Sequence, residues 1–184
     1  MTSTNKKIFI DASLFMGMHS EDELTRQSSL RFFTEYFSHR IFMNLEQVGM
    51  CDELVWQYER HIQDDYYPFM DVLHSEMDIQ RIGYTTTDLE ELLRNPLLNS
   101  PSLGVQQKLL LAQVINRNGI LYTHDTVIHA IDAFQPYLGE FHTDSEDLHQ
   151  QSEFCSPLNA LYETSKVLVF PYNAISQGSE NYVK

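Results

Sequence analysis

With 184 residues, 42% of them apolar and 21% charged, the chain is long enough for one domain with a full hydrophobic core and too apolar for a disordered polymer. Its formal charge of −14 excludes a nucleic-acid binder that works through a basic surface, so chemistry on a polyanion requires bound cations, local basic residues or a basic partner. Cys51 and Cys155 are too few for a disulfide framework, no run approaches the roughly twenty apolar residues of a membrane span, and residues 1–7 lack a signal-peptide core, so the expected address is cytoplasmic.

Ile8-Phe9-Ile10 is a short apolar run that stops at Asp11, the pattern of a buried parallel strand. Ser20-Glu21-Asp22-Glu23 has the form of a capping box, and Leu24, Leu30, Phe33 and Phe37 follow at helical spacing, which predicts a helix over about residues 21–37. Ile41-Phe42-Met43 gives a second strand. Val48, Cys51, Val55, Tyr58 and Ile62 then recur at steps of three and four, one face of a long helix that carries Glu46 in its first turn and stops at Pro68.

Residues 79–84 read as a third strand, and Thr87-Asp88-Leu89-Glu90 opens a short helix that ends near Arg94, followed by a loop over residues 95–101. Leu109, Leu110, Ala112, Val114 and Ile115 predict a mostly buried helix over residues 103–118, with Gly119 as its C-terminal cap. Ile120-Leu121-Tyr122-Thr123 is a fourth strand ending at His124-Asp125, and a helix over residues 126–134 follows. Residues 139–157 are a long polar loop or insertion, 166–170 a fifth strand, and 176–184 a flexible tail. The alternation predicts an α/β fold: one domain over residues 1–175, with a central parallel sheet of about five strands between two layers of helices.

In open α/β sheets the functional crevice lies beyond the carboxyl ends of the strands, which singles out Asp11, Asp125 and, just past the second strand, Glu46. Carboxylates gathered there repel one another unless cations occupy the site, and hard oxygen ligands favour Mg²⁺ or Mn²⁺. Such ions activate water and stabilise the charge of phosphodiester hydrolysis. Phe9-Ile10-Asp11-Ala12-Ser13, Glu46 and Tyr122-Thr123-His124-Asp125 together resemble the motifs of PIN-domain ribonucleases, in element order over roughly residues 6–135.

The resemblance implies Mg²⁺- or Mn²⁺-dependent cleavage of single-stranded RNA by a toxin-like or RNA-processing nuclease, with a basic protein or antitoxin as partner and a homodimer as a frequent state of the family. PIN nucleases usually carry another acid at the start of the helix before the fourth strand, where this chain has Gln106 and Gln107. The site then holds one ion, holds it weakly, or recruits an acid such as Asp52 or Glu53; Gln107, Thr123 and His124 are further candidate accessories. The alternative is a catalytically weak or inactive PIN-like domain that serves as a protein-binding or regulatory subunit.

Plainer roles compete with each of these. Asp11 and Asp125 can cap the turns that follow their strands, and Glu46 can favour a helix N-terminus by about 0.3–1 kcal/mol with no function attached. Strand alternation points His124 away from the side that Asp125 faces. Asp71-Val72-Leu73-His74, with Glu46, Glu53 and His61, fits a di-iron bundle only if long helices replace the predicted strands. The Tyr66-Tyr67-Pro68-Phe69-Met70 cluster is either a base-stacking surface or core, and Asp144, Glu146, Asp147 and Glu153 are either a solvated acidic segment or a contact for a basic partner.

Overall fold

The computed structural model describes residues 6–141 and 153–176. Four strands, β1 (Lys7–Ile10), β2 (Ile41–Asn44), β3 (Ile79–Ile82) and β4 (Gly119–Tyr122), form one parallel sheet in the order β3-β2-β1-β4. Ile10 lies opposite Met43 on one side and Tyr122 on the other. The fold is α/β, with four paired strands where five were expected.

Side chains alternate across the sheet, and the two faces bury separate cores. On one face Ile10, Ile41 and Met43 pack with α1 (Ala12–Gly17), α2 (Glu23–Glu35), α3 (Leu45–Val55), α4 (Arg60–Glu76) and α8 (Leu158–Ser165). On the other, Phe9 and Leu121 pack with Leu110, Leu111 and Val114 of α6 (Val105–Asn116) and with Ile128 of α7 (Thr126–His129). The helix α5 (Thr86–Arg94) leans on α6, and α9 (Tyr172–Ser176) lies on α1. Among the described residues no helix is long and apolar enough to cross a membrane.

Residues 166–170 do not join the sheet. Val167 and Val169 are exposed while Leu168 and Phe170 are buried, so the segment is half-buried against the α1–α2 connection, where Phe170 N donates to His19 O at 2.8 Å and Glu21 N to Phe170 O at 2.9 Å. Its backbone makes a parallel bridge there, Ser20 to Phe170, and further bonds from Leu168 N to Ser165 O and from Tyr58 OH to Val169 O.

The predicted long helix is two helices. It breaks after Val55, and Pro68 lies inside α4 on its exposed side rather than at its end. Asp22 rather than Ser20 caps α2, accepting from Thr25 N at 2.8 Å. The last predicted helix shortens to α7 and continues as a 3-10 turn over Asp132–Tyr137.

The left-handed residue after α6 is Asn118, with φ 52°, and Gly119 begins β4 instead. Glycine is needed at 119 because a Cβ there would stand 2.6 Å from Cδ2 of the buried Phe9 ring. Gly119→Ala is therefore expected to cost about 1–3 kcal/mol, the range for overpacking a core, read as a lower midpoint in urea unfolding.

Candidate functional site

β1 connects onward to β2 and β3 on one side, whereas β4 lies on its other side, so the topological switch point falls between β1 and β4. Asp11 follows β1 directly and Asp125 follows β4 by three residues, which puts an acid on each side of that point. Both line one cleft of about 480 Å³, open mouth included, together with Gln47, Gln106 and Gln107.

Asp11 caps α1. Its Oδ1 accepts from Ser13 Oγ at 2.7 Å and Leu14 N at 3.0 Å, and its Oδ2 accepts from Thr123 Oγ1. Asp125 caps α7: its Oδ1 accepts from Val127 N at 2.8 Å and Ile128 N at 3.1 Å, and its Oδ2 from Gln107 Nε2 at 2.6 Å. Thr123 joins the two acids, donating to Asp11 and accepting from Asp125 N at 2.9 Å. Because both hydroxyl hydrogens go to Asp11, the 3.0 Å contact between Ser13 Oγ and Thr123 Oγ1 is a close approach and not a further bond.

The capping roles read from sequence are thus present, and they leave room for a ligand. Each carboxylate has about four lone-pair sites, and three are taken in each case, so one position stays uncommitted on Asp11 Oδ2 and one on Asp125 Oδ2. That donor set fits a single Mg²⁺ or Mn²⁺, ions that accept one or two carboxylates and complete their shell with water. Among the described residues no group of three or more His, Cys, Asp or Glu side chains is placed to hold a metal ion, so a closed all-protein cage is not what the cleft offers.

Burial pushes the Asp11 carboxyl up to about 6; the hydrogen bonds from Thr123, Ser13 and Leu14 pull it down, and the charge of Asp125 adds to the rise. A cation in the cleft would oppose that rise. For a divalent ion held there, affinity is expected to fall as pH drops through about 6, when Asp11 takes up a proton, and Mn²⁺ titrations at stepped pH check it.

Glu46 is placed differently from the sequence expectation. Its carboxylate accepts from Tyr84 OH at 2.7 Å, toward the β3–α5 connection, and it is absent from the lining of the cleft. The next residue, Gln47, enters instead, its Oε1 accepting from Ala12 N at 3.0 Å. Asn44 caps α3 through Glu46 N at 2.7 Å, and Cys51 and Val55 anchor the core face of the helix, a phase that turns positions 47, 50 and 54 toward the cleft.

Of the accessory candidates, Gln107 and Thr123 contact the acids. Asp52 lines a separate cavity on the far side of α3 with Tyr66, His74 and Arg81, and Glu53 is exposed. His124 stacks on Phe141 at 4.6 Å and bonds Ser29 Oγ at 2.8 Å, outside the cleft; burial, with the neighbouring His129, holds its pKa near 4, so the ring is neutral at physiological pH.

The other motifs resolve into structure. His74 packs on Phe15 while Asp71 is exposed, and the strands leave no bundle for a di-iron site. Tyr66 and Phe69 are core residues. Asp144, Glu146 and Asp147 lie outside the described residues, and Glu153 is exposed. The cleft also includes Ala174 and Ile175 of α9, which no local motif pointed to.

Neither a curated protein nor a solved structure matches the chain. The model of a family of unknown function, DUF6190, matches residues 1–175, and the chain belongs to that family.

Proposed function

We propose that the protein is a PIN-like ribonuclease that holds one Mg²⁺ or Mn²⁺ through Asp11 and Asp125 and hydrolyses phosphodiester bonds in single-stranded RNA. The observation that carries this reading is the pair of buried acids flanking the β1–β4 switch point, each with one oxygen position uncommitted. A bound divalent cation supplies Lewis-acid activation of water and of a phosphate oxygen.

The chain's own residues supply the rest. Ser13, Leu14 and Thr123 fix the rotamer of Asp11, and Val127, Ile128 and Gln107 fix that of Asp125, so neither acid needs to reorganise when an ion enters. The apolar wall formed by Met50, Leu54 and Ile128 limits bulk water around the acids. Among the described residues no lysine or arginine lines the cleft, so neutralisation of a phosphate there falls to the cation.

The test is cleavage of an unstructured RNA oligonucleotide with Mn²⁺ or with chelator, by wild type and by Asp125→Asn. Cleavage that requires Mn²⁺ and is lost in the variant supports the reading. Equal rates in both proteins contradict it.

One observation favours a second reading, a PIN-like subunit with weak or no catalysis that binds a protein partner. Gln107 stands where a further acid is expected and donates its amide to Asp125, taking an oxygen position that a cation could use. Its own Oε1 accepts from Gly104 N at 2.8 Å, so the amide is fixed in that orientation. Gln107→Glu would replace this donor with a third carboxylate; calorimetry should then show Mn²⁺ binding at least about tenfold tighter, because affinity for hard cations follows the count of charged ligands.

A further inference from the structure

Asp11 is 4% exposed and Asp125 5%, although both stand at the open end of a sheet where ligands enter. Part of their cover is α9, whose Ala174 and Ile175 line the cleft and which packs on α1, the helix that Asp11 caps. A small ion needs little room to reach the two carboxylates. A polynucleotide must bring its backbone to them, through a cleft that Ala174 and Ile175 of α9 help to line.

The attachment of this segment changes at Pro171. Up to Phe170 the chain is held by backbone bonds to His19 and Glu21 on the α1–α2 connection. Beyond it, Pro171, Tyr172 and Asn173 are exposed, Tyr172 N donates at 3.0 Å to the exposed side chain of Glu21, and among residues 171–175 Ile175 alone is buried. An element held, among the described residues, by one buried anchor and one exposed tether opens more readily than the core it covers.

We propose that α9 is a strap, hinged at Pro171 and latched by Ile175, that gates access of a polymeric substrate to Asp11 and Asp125. That the substrate is a polymer, RNA, rests on the function proposed above; the opening of α9 over the cleft does not.

The test is therefore built to separate the two. Ala12 lines the cleft at 4% exposure, and Ala12→Cys in a Cys155→Ser background places a thiol beside Asp11, with Cys51 buried. Maleimide labelling of that thiol is measured with α9 intact and with the latch weakened by Ile175→Ala. Glu21→Ala, on an exposed residue, removes the tether without touching the core and serves as the second release variant.

If the strap gates the cleft, both releases accelerate labelling by about tenfold or more, while circular dichroism stays unchanged. Equal labelling rates in folded release variants overturn the strap, whatever happens to RNA. Faster labelling with no Mn²⁺-dependent cleavage in any variant supports the strap and rejects the nuclease.

Discussion

Asp11→Asn is expected to lower the proposed divalent-ion-dependent turnover by at least about 100-fold, and at the same time to raise the thermal stability of the metal-free protein at neutral pH. Outer-shell partners of metal ligands already cost about 10–100-fold when removed, so loss of a proposed direct ligand sets that figure as a floor. The amide also fits the local bonds. Its Oδ1 can keep Ser13 Oγ and Leu14 N, its Nδ2 can donate to Thr123 Oγ1, and the Thr123 hydrogen can then turn to Ser13 Oγ, 3.0 Å away.

The gain in stability follows from the raised pKa. The folded-state value of Asp11 is about 6 against an ordinary 3.8, so the folded protein binds this proton more tightly, and stability declines as pH rises between those values. At pH 7 the wild type carries a buried ionised carboxylate that the variant lacks. Thermal scans in chelator should show the variant melting higher at pH 7 and the difference closing as pH falls from about 6 to about 4, below which wild-type Asp11 is protonated in both states. A site residue that lowers stability when ionised is the expected signature of function traded against folding.

Asp88→Ala is expected to be the most destabilising of the substitutions considered, at about 3–5 kcal/mol, the range for a buried ion pair that loses one partner. Asp88 is 1% exposed and binds Arg117 through Nη2 at 2.7 Å and Nε at 3.2 Å, while also accepting from Asn116 at 2.7 Å and Thr85 N at 2.8 Å. These bonds tie the β3–α5 turn to the end of α6, and removing the carboxylate takes from Thr85 N its acceptor and from Arg117 and Asn116 their shortest bonds, leaving them Gly83 O and Thr87 Oγ1 at 3.2 Å.

Burial alone would raise the Asp88 pKa, but the hydrogen bonds from Arg117, Asn116 and Thr85 outweigh it and hold the carboxyl well below its ordinary range. A depressed folded-state pKa adds stability above the ordinary value, and that stability is lost as pH falls. The difference between wild type and Asp88→Ala in urea unfolding should accordingly be largest near neutrality and shrink below about pH 4, as the wild type loses its share.

What could be read from the residues divides along a physical line. Each of the four strands is an apolar or mixed run of four residues that begins after a polar residue, and Asp11 and Asp125 follow their strands so closely that the sheet alone places them. Glu46 and Gln47 are adjacent in the first turn of one helix, and which of them enters the cleft is set by the Asn44 cap and by the seating of Cys51 and Val55 in the core. Helical periodicity identifies the buried face of α3 but not its rotation relative to the sheet end, so it does not tell that Gln47 lines the cleft while Glu46 turns to Tyr84.

Val167 to Phe170 has the composition of a strand, and nothing local distinguishes pairing with a sheet from the single bridge it makes to Ser20. The same holds for Ala174 and Ile175, which reach the cleft only because that bridge anchors the C-terminal segment over α1. The amides of Gln106 and Gln107 were visible as a departure from an acidic site. That Gln107 is bonded to Asp125 required the packing of α6 against the end of β4.

The central claim is that Asp11 and Asp125 share one divalent cation at the switch point between β1 and β4. Anomalous diffraction from crystals soaked in millimolar Mn²⁺ reads this directly. The expected map has a single peak within coordination distance, about 2.0–2.4 Å, of Oδ2 on both acids, with water completing the shell. A well-ordered cleft that stays empty of Mn²⁺, or a peak bound by neither acid, would contradict it.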